Sequence, residues 1–224
     1  MIKIENLDVF NLKGAICGMR NPYDSWGKSD SSICKTLYKM YDGTEIMNDD
    51  GIKIGEKDLE LMKKLYKAGS EHAKYLRQIF VSFDVVAPLY WWKESDQYKV
   101  GVTSNSCSTM HTLTKRDLTI DDFSHEHLSS QSIDALRRTI DVINGYRSLY
   151  VSGGNAFDKG NKEFWWQMIQ LLPSSYNQRR RISMSYANLT NIIKQRKGHK
   201  LDCWREFCKF MLDNAPYLKE IMGE

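Results

Sequence analysis

Apolar residues recur along the chain with two periods, and each period predicts a different kind of element. Within Lys57–Ala68 the apolar side chains stand three and four positions apart, which is typical of an amphipathic helix. Gly69 is well suited to end that helix, because glycine tolerates the left-handed backbone of a helix C-terminus. The segment Ile79–Ala87 reads IFVSFDVVA. Its β-branched and aromatic residues predict the strongest strand of the chain, and Pro88 ends it.

The same patterns divide the rest of the chain into further elements. They predict an edge strand over residues 1–10 and helices over residues 11–20, 31–42, 89–98, 132–151, 163–172, 186–197 and 201–214. Small and polar residues predict turns or loops over residues 42–51, 100–112 and 152–160. We find no internal repeat, low-complexity segment or long linker. We therefore expect one α+β domain that spans residues 1–224.

Composition and charge narrow the class of protein. Hydrophobic residues make up 42% and charged residues 27% of the chain, which is ordinary for a globular protein. No apolar run approaches the roughly 20 residues that span a bilayer. The N-terminus alternates apolar and polar residues and lacks the apolar core of a signal peptide, so we expect a cytoplasmic protein without membrane contact. A net charge of +4 suits a phosphate-bearing ligand, and we expect no direct binding to nucleic acid.

The five cysteines are odd in number and widely scattered, which argues against a disulfide framework and favours a reducing compartment. Their spacings from the histidines do not fit a zinc site, so we expect no metal. We expect Cys203 and Cys208 to lie in a helix core. Cys107 follows small polar residues, and we interpret it as a small buried residue. The alternative for Cys107 is a nucleophile activated by a nearby base.

Candidate chemistry is concentrated in the C-terminal third, which reads LLPSSYNQRRRISMSYANLTNIIKQRKGH. Arg179 follows the Leu-Pro pair, Asn191 precedes Arg196 by five residues, and His199 follows three residues later. From the residues alone, Arg179 is either a phosphate clamp or part of a solvated charge run. Arg196 is either a ligand-binding residue or a cation placed to favour the C-terminal end of a helix dipole.

This series of spaced residues resembles the C-terminal half of the flavin-dependent thymidylate synthases. The resemblance implies that Arg179 binds the substrate nucleotide. It implies that Asn191 and His199 bind the flavin and that Arg196 polarises the uracil ring, which makes Arg196 the catalytic residue. The likeness extends from about residue 57 to residue 222.

The middle of the chain resembles the same family with several changes. Ala87–Pro88 ends the predicted strand as in the family, and Gln97, Tyr98 and Lys99 stand where the family has R-H-R. The resemblance therefore places these three residues at the flavin. Further along, Asn105 and Ser108 match polar positions of a family motif, and Met110 replaces a phosphate-binding arginine. The backbone N–H groups of this loop and the hydroxyls of Ser108 and Thr109 could hold the substrate phosphate instead, so Asn105, Ser108 and Thr109 are candidate substrate-binding residues. A polar loop without a ligand is the alternative for this segment.

Upstream, the sequence Gly69-Ser70-Glu71-His72 resembles the family's G-H-E-x motif. Gln78 takes the place of a histidine that contacts flavin in the family, and the resemblance places Gln78 there too. The change from R-H-R to Gln97-Tyr98-Lys99 removes positive charge, so we expect weaker binding of FAD.

Taken together, the resemblance implies a twisted, mainly antiparallel sheet with packed helices and a homotetramer with active sites where subunits meet. It implies reductive methylation of dUMP to dTMP with FAD as cofactor. Methylenetetrahydrofolate would donate the carbon and NADPH the reducing equivalents. One alternative is a non-catalytic nucleotide-binding or interaction protein on the same fold. Another is an enzyme that modifies a different pyrimidine nucleotide.

Overall fold

The computed structural model describes residues 2–39, 45–153 and 159–224, and for residues 33–39 and 45–51 it describes the backbone alone. In this part of the chain the strands are β1 (Lys3–Phe10), β2 (Ser32–Lys39), β3 (Glu45–Lys53), β4 (Phe80–Pro88), β5 (Val102–Ser106) and β6 (Asn177–Ser185). The helices are α1 (Leu12–Arg20), α2 (Glu56–Lys67), α3 (Leu89–Ser95), α4 (Thr109–Thr112), α5 (Ser130–Ser152), α6 (Lys162–Leu171), α7 (Tyr186–Arg196), α8 (Asp202–Asn214) and α9 (Leu218–Met222). None of these helices is long and apolar enough to cross a membrane.

An antiparallel sheet with the order β1-β4-β6-β5 forms the centre of the fold. Strand β4 pairs along its whole length with β6, from Phe80 opposite Ser185 to Pro88 opposite Asn177. Val81, Phe83 and their alternate neighbours on β4 are fully buried, whereas Phe80 on the other face is about half exposed. The sheet therefore has one face in the core and one open face. Strands β2 and β3 pair separately as a two-stranded antiparallel ribbon.

The main hydrophobic core lies between the buried face of the sheet and a layer of helices. Its members come from β4, β6 and helices α1, α2, α3, α7, α8 and α9. Aromatic rings dominate its centre, where the Trp91 ring centroid lies 4.5 Å from that of Trp204 and 5.7 Å from that of Phe207. This packing fixes α3 against α8.

A second, smaller core forms where α5 packs against α6. It buries Leu136, Ile140 and Ile143 of α5 with Met168 of α6 and Phe123 of the preceding segment. Backbone pairing of Phe123 with Tyr176, just before β6, joins this helical unit to the sheet. The expectation of one domain over residues 1–224 stays a prediction.

Most long elements follow the predicted pattern. The amphipathic helix over Lys57–Ala68 is α2, and Gly69 has a φ of +109° just beyond its end, which confirms the glycine stop. The strong strand is β4, and the edge strand over residues 1–10 is β1. Helices α1, α3, α5, α6, α7 and α8 begin or end within about three residues of their predicted bounds.

Several short elements differ from the prediction. The predicted helix over residues 31–42 is wrong, because this segment contains strand β2, and the predicted turns over residues 42–51 contain β3. The predicted loop over residues 100–112 is also wrong, because β5 pairs with β6 and α4 follows it. Strand β6 and helix α9 were missed. Each missed or mistaken strand owes its conformation to a partner strand that lies elsewhere in the sequence, which local pattern does not reveal. Residues 40–44 of these segments lie outside the described residues.

Candidate functional site

A cleft of about 620 Å³ opens between the end of α2, the turn Lys74–Arg77 and the outer face of α7. Its wall includes Tyr66, Arg77, Phe80, Asn191 and Lys194. This volume is within the range of roughly 300–1,000 Å³ that is typical of ligand sites. Gly69, which ends α2, and the following Ser70 also line the cleft.

Local hydrogen bonds fix the rim of this cleft where β6 leads into α7. The Ser185 hydroxyl accepts from the backbone N–H of Asn188 at 3.3 Å and caps α7. Asn188 Nδ2 donates to the carbonyl of Val100 at 2.7 Å and ties the turn before β5 to the same helix. A polar cap at a helix start is a strong local signal, so the sequence itself specifies where α7 begins.

Beside the cleft is a smaller cavity of about 190 Å³ lined by Gln97, Tyr98, Lys99 and Asn191, among others. Asn191 lines both cavities, so they are adjacent. The structure thus brings together the three residues that replace R-H-R and the asparagine that the resemblance assigns to the flavin.

A chain of hydrogen bonds connects Asn191 to Arg196 through Tyr98. The Tyr98 hydroxyl donates to Gln195 Oε1 at 2.9 Å and accepts from Arg196 Nε at 2.8 Å. Gln195 Nε2 in turn donates to Asn191 Oδ1 at 3.0 Å, one helical turn away. These side chains therefore hold one another in fixed orientations along α7.

Arg196 is largely buried and forms an ion pair. Its Nη1 lies 2.8 Å from Glu94 Oε2, and its guanidinium carbon lies 5.0 Å from the centroid of the Trp204 ring. The same Glu94 oxygen accepts from Trp204 Nε1 at 3.2 Å and lies 3.4 Å from Nε2 of His199. Glu94 therefore gathers Arg196, Trp204 and His199 around one carboxylate.

The sequence reasoning missed Glu94 as a member of this site. Its helix α3 packs through Trp91 and Trp92, and an acidic residue near the exposed end of such a helix looks like surface. In the sequence, Glu94 is marked only by lying three residues before Gln97. That spacing does not indicate a site residue, because the contact of Glu94 with Trp204 of α8 forms only in the folded chain.

Arg179 lies apart from this group, on the open face of the sheet. Its guanidinium pairs with Glu5 of β1, and its Nη2 lies 3.7 Å from Asp84 Oδ2 of β4. The neighbouring Arg181 pairs in the same direction, with Nη2 at 3.0 Å from Asp8 Oδ2. Both arginines therefore extend towards β1, away from β5.

The segment Asn105–Thr109 lies on the other side of β6 from those carboxylates. Asn105 stands opposite Arg181 in the ladder, and the N–H of Cys107 donates to the carbonyl of Arg179 at 2.8 Å. Ser108 precedes α4, and its carbonyl accepts from the Thr112 hydroxyl at 2.8 Å. The backbones of Arg179 and this segment are thus adjacent in one chain, but the Arg179 guanidinium is directed to the opposite side.

Gln78 also lies outside the cleft. Its exposed side chain rests against α1, where a Cβ added at Gly18 would be only 2.3 Å from Gln78 Oε1. Its carbonyl accepts from Asn11 Nδ2 at 2.9 Å. The preceding residue, Arg77, lines the cleft in its place.

Two cysteine predictions had different outcomes. Cys203 and Cys208 are buried in α8 as predicted, and burial raises the pKa of the Cys208 thiol to about 12. The prediction that Cys107 is buried is wrong, because this residue follows the edge strand β5 and is exposed. Among the described residues, no group of three or more histidine, cysteine or acidic side chains could hold a metal ion.

The sequence matches no protein-family model and no curated protein. Its fold is similar to that of two solved structures of the flavin-dependent thymidylate synthase from Helicobacter pylori, each complexed with FAD and dUMP. Both comparisons have a TM-score of 0.65, with 16% and 15% sequence identity. The matches cover 100% and 99% of this chain and 98% of each of the other chains. The chain therefore has the α+β fold of that enzyme, as the sequence predicted.

Proposed function

We propose that this protein binds FAD and a uracil nucleotide and catalyses the reductive methylation of dUMP to dTMP. Methylenetetrahydrofolate is the carbon donor and NADPH the reductant in this proposal. The observation that carries it is the position of Asn191 and Arg196. They lie on one helix and are linked by hydrogen bonds through Gln195 and Tyr98, and Asn191 lines the cleft of about 620 Å³. The fold match to an enzyme complexed with FAD and dUMP supports this reading.

The residues around the cleft fit a flavin nucleotide. Tyr66 and Phe80 offer aromatic surface, and Asn191 offers an amide at the boundary of the two cavities. Because Asn191 Oδ1 already accepts from Gln195, its Nδ2 group is left to donate to a carbonyl of a bound ring. Bound flavin would supply the hydride chemistry of the reaction.

Arg196 is the residue that we assign to the uracil ring. Among the residues that the structure describes, its Nε donates to the Tyr98 hydroxyl and its Nη1 to Glu94, so Nη2 remains to donate to a ring carbonyl. Tyr98 and Glu94 thereby act as positioning residues that fix the guanidinium plane. A charged donor at a ring carbonyl stabilises the negative charge that develops there when carbon 5 is activated.

We also propose a homotetramer with sites shared between subunits. In one chain Arg179 and the segment Asn105–Thr109 are on the sheet, apart from the cleft walls formed by α2 and α7. If these residues bind the same substrate as Arg196, a second chain has to supply them. Arg179 would then release its ion pairs with Glu5 and Asp84 and bind the substrate phosphate.

The first test measures binding and turnover separately. We expect the purified protein to absorb near 450 nm after addition of FAD, to bind dUMP in calorimetric titration, and to rescue a thymidine auxotroph. Arg196→Ala should lose dUMP binding by about 2 kcal/mol or more, because a charged hydrogen bond is removed. Arg137→Ala is a matched control on the exposed side of α5. Unchanged dUMP affinity in Arg196→Ala would show that Arg196 is only a structural cation.

A second candidate function is non-catalytic binding of a pyrimidine nucleotide. The specific observation that favours it is the Arg196–Glu94 pair, because the carboxylate offsets the charge that catalysis requires. The replacement of two cations by Gln97 and Tyr98 also favours binding without catalysis. Tight binding of dUMP without dTMP formation, in the presence of FAD, NADPH and methylenetetrahydrofolate, would select this candidate.

A further inference from the structure

The arginines assigned to ligands by resemblance are all neutralised within the described part of the chain. Arg179 pairs with Glu5 and Asp84, and Arg196 pairs with Glu94. The arginines next to Arg179 also form ion pairs, because Arg180 Nη1 lies 2.8 Å from Asp96 and Arg181 pairs with Asp8. An anion that binds one of these arginines therefore competes with a carboxylate for its charge.

Two cations in the cleft have a different environment. Arg77 and Lys194 line its wall, and neither forms an ion pair with any described carboxylate. No aspartate or glutamate is among the lining residues of the cleft. Positive charge in a concave site without acidic neighbours attracts anions, because low-dielectric walls strengthen the local field.

Packing places these two cations on opposite elements. Lys194 Nζ sits 4.5 Å from the centroid of the Tyr66 ring, so a cation–π contact with α2 holds it at the cleft. Lys194 lies three residues after Asn191, which places both side chains on the same side of α7. Arg77 comes from the turn Lys74–Arg77 before β4 and lines the same cleft.

We infer that Arg77 and Lys194 bind the phosphate groups of a nucleotide in this cleft. A guanidinium binds phosphate through paired hydrogen bonds, and an ammonium adds a point charge. Tyr66 and Phe80 provide aromatic surface beside these cations for the ring of the same ligand. The inference rests on the proposed function for the kind of ligand, and it assigns the phosphate contact to residues outside the family's motifs.

This assignment accounts for the changed charges elsewhere in the sequence. Gln97 and Tyr98 stand where the resemblance leads one to expect cations, and both line the smaller cavity beside the cleft. Arg77 and Lys194 supply positive charge to the adjacent cleft from other positions. The phosphates of FAD and the phosphate of dUMP share the required chemistry.

The test uses variants that remove the charge but keep a polar side chain, Arg77→Gln, Lys194→Gln and the double variant. Both side chains are exposed, so we expect these variants to fold normally. Arg137→Gln combined with Lys115→Gln is the matched double control, since both are exposed cations away from the cleft. Affinities for pyrophosphate, FAD, riboflavin, dUMP and deoxyuridine are measured by calorimetric titration.

We expect each single variant to lose about tenfold, and the double variant about a hundredfold, in affinity for pyrophosphate and for the phosphorylated ligand that the cleft takes. Riboflavin and deoxyuridine lack phosphate and should bind all variants equally. A loss confined to FAD identifies the cofactor's phosphates, and a loss confined to dUMP identifies the substrate's phosphate.

The outcomes separate this inference from the proposed function. Wild-type affinity of the double variant for pyrophosphate, FAD and dUMP would overturn the phosphate assignment and leave the proposed function standing. Binding of pyrophosphate that depends on Arg77 and Lys194, without binding of FAD or dUMP by the wild type, would support the phosphate site and contradict the proposed function. A wild-type protein that binds none of the three would overturn both.

Discussion

At the scale of single residues, the decisive feature is the carboxylate of Glu94. One of its oxygens accepts hydrogen bonds from Arg196 and Trp204 and lies near His199. A neutral or basic side chain at this position would leave Arg196 without an ion-pair partner. Burial makes this pair strong, because Arg196 is only about 14% exposed. Whether Arg196 acts on a ligand therefore depends on Glu94.

Glu94→Gln should raise the affinity for dUMP about fivefold, or roughly 1 kcal/mol. The amide keeps the shape and one hydrogen bond to Arg196 but no longer offsets its charge, so more of the guanidinium's field reaches the ligand. Calorimetric titration with dUMP measures the change, with Glu60→Gln on the exposed side of α2 as control. Weaker binding in Glu94→Gln would mean that the carboxylate itself contacts the ligand.

Cysteine reactivity is a second residue-scale prediction. Cys107 and Cys17 are exposed and should be alkylated by iodoacetamide in the native protein at pH 8. Burial raises the pKa of Cys208, so its thiol should stay protonated and be labelled only after unfolding. Peptide mass spectrometry after timed labelling gives the order. Native labelling of Cys208 as fast as Cys107 would contradict the packing of α8.

At the scale of elements, α1 and α2 are joined by a buried ion pair. Nε and Nη2 of Arg20 both lie 2.6 Å from Asp58 Oδ1, while the hydroxyls of Ser29 and Ser31 donate to Asp58 Oδ2 at 2.5 Å and 2.6 Å. Burial alone would raise the pKa of Asp58, but the bonds from Ser29, Ser31 and Arg20 outweigh it, and the pKa is lowered. This carboxylate orders the segment between the two helices.

Asp58→Asn should destabilise the protein by about 3 kcal/mol at pH 7, because it leaves a buried Arg20 charge without a partner. The pKa of Asp58 is lower in the folded than in the unfolded state, so its ionisation stabilises the fold above about pH 4, the ordinary range for aspartate. That stabilisation is lost as the pH falls from there towards the folded-state pKa.

Urea unfolding of wild type and Asp58→Asn at pH 7 and at pH 3.5 checks this dependence. The difference in unfolding free energy between the two proteins should be smaller at the acidic pH. Asp141→Asn, on the exposed side of α5, is the control and should change stability by less than about 0.5 kcal/mol. An equal difference at both pH values would show that the carboxylate's charge is not what stabilises the contact.

At the scale of the whole molecule, the sheet has a core face and an open face. The open face carries the paired charges of β1, β4 and β6 together with Phe10 and Phe80, each about half exposed. The candidate ligand residues are divided in the same way, with Arg196 and Asn191 on the helical side and Arg179 on the open face. One chain alone therefore does not gather all the predicted substrate residues.

Light scattering should give a mass four times the 26.1 kDa of one chain, since we propose that subunits share sites. Dilution below the assembly range should reduce dUMP affinity in parallel with the loss of mass. A 26.1 kDa species that binds dUMP as tightly as the concentrated protein would show instead that each chain holds a complete site.

The sequence alone determined the elements whose signals are local. The spacing of apolar residues in α2, α5, α7 and α8, and the β-branched run in β4, arise from contacts of a residue with near neighbours or from burial on one regular face. The spacing of Asn191 and Arg196 belongs to this class too, because both lie on one helix. The resemblance drawn from such spacings led to the correct fold.

Only the tertiary structure decided the rest. The sequence of β5 is polar, and this segment is a strand because it pairs with β6. The arginines of β6 obscure its alternation of apolar and polar residues, and Arg179 and Arg181 pair with carboxylates of β1 on the open face of the sheet. Glu94 pairs with Arg196, and Arg77 and Lys194 line one cleft, only because segments far apart in the sequence pack together. Charge pairing between residues far apart in sequence depends on the path of the whole chain, so the state of each arginine, paired or free, could not be predicted from the sequence.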